Sequence, residues 1–237
     1  MRQPPAPQWG LSPLQEVLLL WGVSFLAIIV AFMFGQSSLV AVVCFLYLPY
    51  VFMRPRNEDY RDYGFTLANW REDLKNLALL CLVVGPLFFA GFWLFERALP
   101  LIPPALARFI TPLQGHRTFH ARLPPDFWKQ VVGQVGVVAL PEEFFYRGYL
   151  QTRLRDQWPR GRKLFGVRLG PAFFLTAVLF ALGHLAIFQV WRLWVFFPAL
   201  VFGWMRERSG TIAGSTAFHA LCNLYEMFLE ASFGGGG

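Results

Sequence analysis

The stretch LPEEFFYRGYLQTRL, Leu140 to Leu154, sets two adjacent carboxylates and an arginine inside an apolar run. On a helix, residues four apart differ by about 40° and neighbours by about 100°. Glu143 and Arg147 therefore share a face, with the acid N-terminal to the base, the favoured order for such a pair. Glu142 points elsewhere and has no counter-ion on its own helix. A charge at mid-bilayer costs about 2.5–3.5 kcal/mol on insertion scales, and pairing Glu143 with Arg147 recovers part of that. Pro141 lacks an N–H, so the carbonyl of Val137 loses its helical partner. A kink is expected there, with a polar foothold for water beside Glu142. An unpaired carboxylate next to water suits a general base. The same three charges could equally form a salt-bridged pin between helices, and this stretch alone does not separate the two.

Two more polar islands change the balance. FALGHL places His184 with Phe180 one turn below it and Gly183 beside it, where a missing side chain admits another helix or a substrate backbone. FHALCN places His219 and Asn223 four apart, on one helical face. A single histidine in an apolar helix is more often a hydrogen-bonded core residue than a catalytic one. Here both lie in apolar runs separate from that of Glu142. Helix rise puts Glu142 and His219 about 12 Å, and His184 about 16–20 Å, from the cytoplasmic ends of their helices, so the three could meet near mid-bundle.

Such residues must be held by membrane helices. The chain is 56% hydrophobic and 15% charged, with apolar residues in runs bounded by Arg or Trp. The expected fold is all-α, a multi-pass transmembrane helical bundle of about seven to eight spans. These cover residues 14–34, 38–53, 76–97, 127–151, 171–190, 192–206 and 211–231, with an eighth, short or re-entrant, at 99–113. Three units follow: N-terminal spans over 1–98, a proline-rich outer loop or re-entrant segment over 99–126, and a core over 127–233. The first run reads as a retained anchor because no small-residue cleavage site closes it.

Of the 21 Lys and Arg, 14 fall on Arg2 and the stretches Arg54–Lys75, Arg153–Arg168 and Arg206–Arg208. That excess puts the N-terminus in the cytoplasm of a cell (inner) membrane protein. The formal charge of +7 lies in the gaps between apolar runs and makes no aromatic-interleaved groove, so no nucleic-acid partner is expected. Cys44, Cys81 and Cys222 are odd in number and far apart, which suggests neither a disulfide framework nor a zinc knuckle. His116 and His120 have metal-pair spacing but sit in a loop with no carboxylate close by. Gly234–Gly237 reads as a flexible tail or an expression scar.

The ordered set E-E-x-x-x-R, F-x-x-x-H and H-x-x-x-N, matched by Glu142, Glu143, Arg147, Phe180, His184, His219 and Asn223, resembles the CPBP family, also called Abi or CAAX-protease-like. The resemblance covers about residues 127–231, and three motifs in order on separate spans are specific. The segment FPALVFGWMRERSGTIAGSTAFHALCN is similar to the myxosortase branch, whose members cleave C-terminal sorting tails. The first three spans match nothing comparable.

The resemblance implies an intramembrane endopeptidase of the glutamic type. Glu142, helped by His184, would activate a water. His219 and Asn223 would stabilise the oxyanion, and Glu143 and Arg147 would brace. The substrate would be a membrane-anchored protein cut near its C-terminus, by sorting-tail or CAAX-like processing, and no cofactor is needed. A zinc version would use Glu142, His184 and His219 as ligands, with a fourth position open. The glutamate version is favoured because partners behind such a zinc set are not evident in the sequence. No H-E-x-x-H occurs, all five aspartates lie in loops or at their edges, and Ser215, four before His219, lacks a companion motif. A transporter should show related halves with broken helices, which are not found. A non-catalytic binding or immunity protein could keep the same residues, and Glu142→Gln would then leave its function intact.

Overall fold

The computed structural model describes residues 10–103, 105–106 and 118–233. Seven helices and one short hairpin account for most of them. α1 (Pro13–Met33) starts at a capping box, in which the Ser12 hydroxyl accepts from Gln15 N–H and the Gln15 side chain accepts from Ser12 N–H. α2 (Ser37–Met53) carries Pro49 internally and runs into a 3-10 turn at Arg54–Arg56. α3 (Trp70–Ala98) is the longest regular helix. Among the described residues, three segments are long and apolar enough to cross a membrane: Pro13–Met33, Ser37–Arg56 and Trp70–Leu101. The protein is therefore a membrane protein, built as a helical bundle.

α4 is one continuous helix over residues 127–157 and is the axis of the bundle. Its middle is not a plain α-helix. Gln134–Ala139 and Phe144–Leu150 are π-helical, and between them Leu140–Glu143 forms a single α-turn. Pro141 sits in that turn. The expected local break thus takes the form of widened turns on either side: Leu140 N–H reaches back to Val135 O and Gln151 N–H to Tyr146 O. Widened turns shift side-chain azimuth, which turns this part of the helix inward. Every residue from Glu143 to Gln151 is buried, and Phe144, Phe145, Tyr149 and Leu150 have no exposure at all.

An antiparallel hairpin follows, β1 (Arg162–Leu164) and β2 (Val167–Leu169). α5 (Pro171–Gly183) then leads into a 3-10 turn at His184–Ile187, and a second 3-10 turn, Val190–Val195, leads into α6 (Phe196–Ser209) and α7 (Ala213–Phe233). The fifth span is thus shorter as an α-helix than 171–190, and His184 lies just past its end. The sixth begins at Phe196 rather than Arg192, so Arg192 sits in the preceding turn. Of the 99–113 segment, Leu99–Leu101 is a 3-10 turn and most of the rest lies outside the described residues. His116 and Gly234–Gly237 also lie outside them, while His120 Nε2 is 3.1 Å from the Thr118 hydroxyl.

A polar clasp ties α1 and α2 to α4. Buried Glu16 accepts from Arg56 Nη2 at 2.9 Å, from Arg153 Nε at 3.1 Å and from the Tyr149 hydroxyl. Glu58 extends it by pairing with Arg56 and accepting from Tyr63 at 2.6 Å. Burial pushes the Tyr63 phenol up, and the bond to Glu58 adds to this, so it stays a neutral donor.

Candidate active site

Three helices converge on a cavity of about 1360 Å³. α4 supplies Glu142 to its lining, the end of α5 supplies His184, and α7 supplies His219 and Asn223. Glu143 and Arg147 lie behind the wall, 0% and 1% exposed. All six residues named from the sequence are therefore at one place.

The bracing is built around a single oxygen. Glu143 Oε1 is 3.4 Å from Arg147 Nη1, the expected same-helix pair, and 3.0 Å from His219 Nδ1 on α7. The guanidinium lies 4.1 Å over the Phe180 ring and 5.2 Å from that of Phe202, and it donates to the Ala199 carbonyl at 3.2 Å. Phe202 in turn stacks on His219 at 4.7 Å and 14°. A planar, delocalised cation suits this slot where a lysine would not.

Both histidines have a defined tautomer. A carbonyl only accepts, so His184 Nδ1 donates to Phe180 O at 2.9 Å. His219 Nδ1 donates to the Glu143 carboxylate that Arg147 holds. In each ring Nε2 is the atom left for chemistry. His219 Nε2 stands 3.9 Å from Glu142 Oε2, which has no hydrogen-bond partner. Glu142 itself is part-exposed to the cavity, unlike its neighbour.

Sequence reasoning missed three contributors. Gln134, two turns before Glu142 on α4, accepts from Asn223 Nδ2 at 2.8 Å and fixes that amide, which keeps a second N–H free. Its signal was an amide four residues after Gln130 in an apolar run. Tyr146, one turn after Glu142, lines the cavity with its edge on Phe180, and its hydroxyl fills the space in front of Gly183. Gly183 is glycine for that reason, because a Cβ there would run into the Tyr146 oxygen. Trp21 of α1 closes the same corner and donates from Nε1 to Leu179 O at 2.9 Å. Ser215 is fully buried, donates to Ile212 O at 3.1 Å and does not line the cavity.

The fit to zinc divides. Hydrogen bonds behind both imidazoles, which the sequence did not reveal, are present: a carboxylate holds one Nδ1 and a carbonyl the other, as behind metal-bound histidines. Among the described residues, however, no three His, Cys, Asp or Glu side chains are gathered to hold a metal ion. As placed, the donor set does not fit one.

A membrane bundle with a carboxylate, two oriented imidazoles and an amide on one cavity is equipped for hydrolysis. Residues 124–225 match the family of type II CAAX prenyl endopeptidase Rce1-like proteins. Over that stretch the chain is similar to the Rce1-like CAAX endopeptidases of the CPBP family, which are peptide hydrolases. That similarity, with the membrane-crossing helices, supports intramembrane endopeptidase activity on a membrane-associated protein. No curated protein and no solved structure matches the chain significantly.

Proposed function

We propose that the protein cleaves membrane-anchored proteins near their C-terminus with a glutamate-activated water. The observation that carries this reading is the division of labour between adjacent carboxylates: Glu143 is fully buried and its Oε1 is engaged by both Arg147 and His219, whereas Glu142 is part-exposed and lines the cavity with an Oε2 that no protein group holds. Glu142, with His184 Nε2 beside it, holds a water and takes its proton as the oxygen attacks the scissile carbonyl. The proton then passes from Glu142 to the leaving amine. The oxyanion is met by the free N–H of Asn223 and by His219 Nε2, which donates when the ring is an imidazolium. Glu143 balances that charge at Nδ1. A preorganised donor of this kind contributes about 3–4 kcal/mol.

Substrate enters from the side. α2 and α3 both line the cavity, through Ser37 and Phe45 and through Cys81 and Phe88, yet α2 packs on α1 and α4 while α3 packs on α7 and α6. The seam between them admits an apolar tail from the bilayer, either the helix of a myxosortase-type sorting signal or a prenylated CAAX-like end. Residues 127–233 form the catalytic unit, and the N-terminus and hairpin lie on the cytoplasmic side of the inner membrane.

Purified protein in nanodiscs should cut a tail-anchored substrate at one bond, located by intact mass. Uncut substrate across both tail classes would count against the reading. The Nδ1 bonds favour a second reading, a zinc-dependent form of the same protease. Chelation tests it: activity that survives prolonged chelator treatment supports the glutamate version, and loss restored by added zinc supports the other.

A further inference from the structure

The hairpin between α4 and α5 carries features that the bundle does not need. Its two-residue loop, Phe165–Gly166, has positive φ at both positions, 50° and 81°, the geometry of a tight hairpin turn. Phe165 is a poor residue for it, since a bulky side chain in the left-handed region is strained. It is also 82% exposed, so the strain is not offset by burial. Leu164 beside it is 46% exposed. Directly behind the tip, Lys163 and Arg168 are cross-strand partners. Like charges set opposite each other destabilise a sheet.

The basic side chains find no relief within the protein. Arg160, Arg162, Lys163 and Arg168 are all exposed. The neighbouring ion pairs are made by Arg153, Arg155 and Arg208, and none among the described residues uses these four. No acidic residue occurs between Gln157 and Pro171. A groove of about 820 Å³ runs along the hairpin's base, lined by Arg160, Arg162, Trp158 and Phe174. The hairpin is held in place: Val167 and Leu169 pack on Phe173, and Trp204 Nε1 donates to Phe165 O at 3.1 Å.

We propose that this hairpin is a binding site for the headgroup of an anionic phospholipid. Lys163 and Arg168 clamp the phosphate from the two strands, Arg160 and Arg162 extend the positive surface along the groove, and Phe165 with Leu164 enters the acyl boundary. An anion between the paired cations turns their repulsion into attraction, and the bilayer gives the exposed aromatic an apolar contact. Two strained choices in the hairpin thereby acquire one cause. The α4–α5 connection is where a membrane surface lies.

The test is native mass spectrometry of the full chain in detergent, titrated with phosphatidylglycerol or with phosphatidylcholine of the same acyl chains. Wild type should retain the anionic lipid at least tenfold better. An anionic surface contributes about fivefold per basic residue, so Lys163→Gln with Arg168→Gln should lower retention by roughly 25-fold, with thermal stability kept or slightly raised because both side chains are exposed and their mutual repulsion is removed. Phe165→Ser should weaken lipid retention but not competition by glycerol phosphate. Equal retention of the two lipids, or retention indifferent to the double substitution, overturns the proposal. Displacement of lipid by glycerol phosphate at matching concentration, with Phe165→Ser silent, would mark a site for free phosphate and overturn the lipid assignment.

Discussion

Glu143 Oε1 is the point on which the site turns, since it holds Arg147 on its own helix and His219 on another. Arg147→Ala should destabilise the protein by about 3–5 kcal/mol, because a buried carboxylate loses its counter-ion. Thermal melting in detergent would measure this, and Arg147→Lys should recover only part of it, lacking the flat stack on Phe180. Gly183→Ala should lower stability by about 1–3 kcal/mol through overpacking against the Tyr146 hydroxyl. Adding Tyr146→Phe should return most of that loss, because the ring carbon beneath the hydroxyl is 3.6 Å from the new Cβ, an ordinary contact. Additive losses in the double variant would contradict this account of Gly183. The Glu143–Arg147 pair was legible from spacing alone, as a same-helix relation. The bond from His219 to Glu143 was not, because no periodicity encodes which face of a distant helix a ring meets.

At the scale of elements, α4 owes its position to breaks in its regularity and to the clasp on α1. The sequence reading located the Pro141 disturbance but predicted a kink, whereas π-turns on both sides spread the change over two stretches. Helix ends were misjudged where apolar residues continue past the last hydrogen-bonded turn, as at Gly183, since hydropathy reports burial in lipid rather than backbone geometry. Glu16 was passed over because it stands near the start of an apolar run, where a carboxylate can be taken for an interfacial residue. In the structure it is buried and engages two arginines and a tyrosine. Glu16→Ala should cost about 1–3 kcal/mol, because Arg56 keeps only Glu58 and Arg153 only Asp156 as ion-pair partners, and the buried Tyr149 hydroxyl loses its acceptor. Loss of membrane accumulation and a lowered melting point would be its signature. An unchanged melting point would show that α1 is not needed to seat α4.

Across the whole molecule, the class of fold and the six clustered residues were readable in advance because membrane helices have few ways to satisfy buried charge. The cavity's second wall was not, since the first three spans carry no motif and their arrangement against α7 depends on packing alone. That wall sets the expected route of substrate. A bulky pair such as Ser38→Trp with Gly85→Trp, on α2 and α3, should raise KM for a tail-anchored substrate several-fold or more while a short soluble peptide is cut at the original rate. Equal effects on both substrates would place entry elsewhere. The central claim concerns Glu142, and co-expression of a tail-anchored substrate with wild type or with Glu142→Gln tests it most directly, read by intact mass. Cleavage at one bond in wild type, lost by at least about a hundredfold in a variant that accumulates normally in the membrane, is the predicted result. Cleavage that persists in Glu142→Gln would contradict the glutamate mechanism.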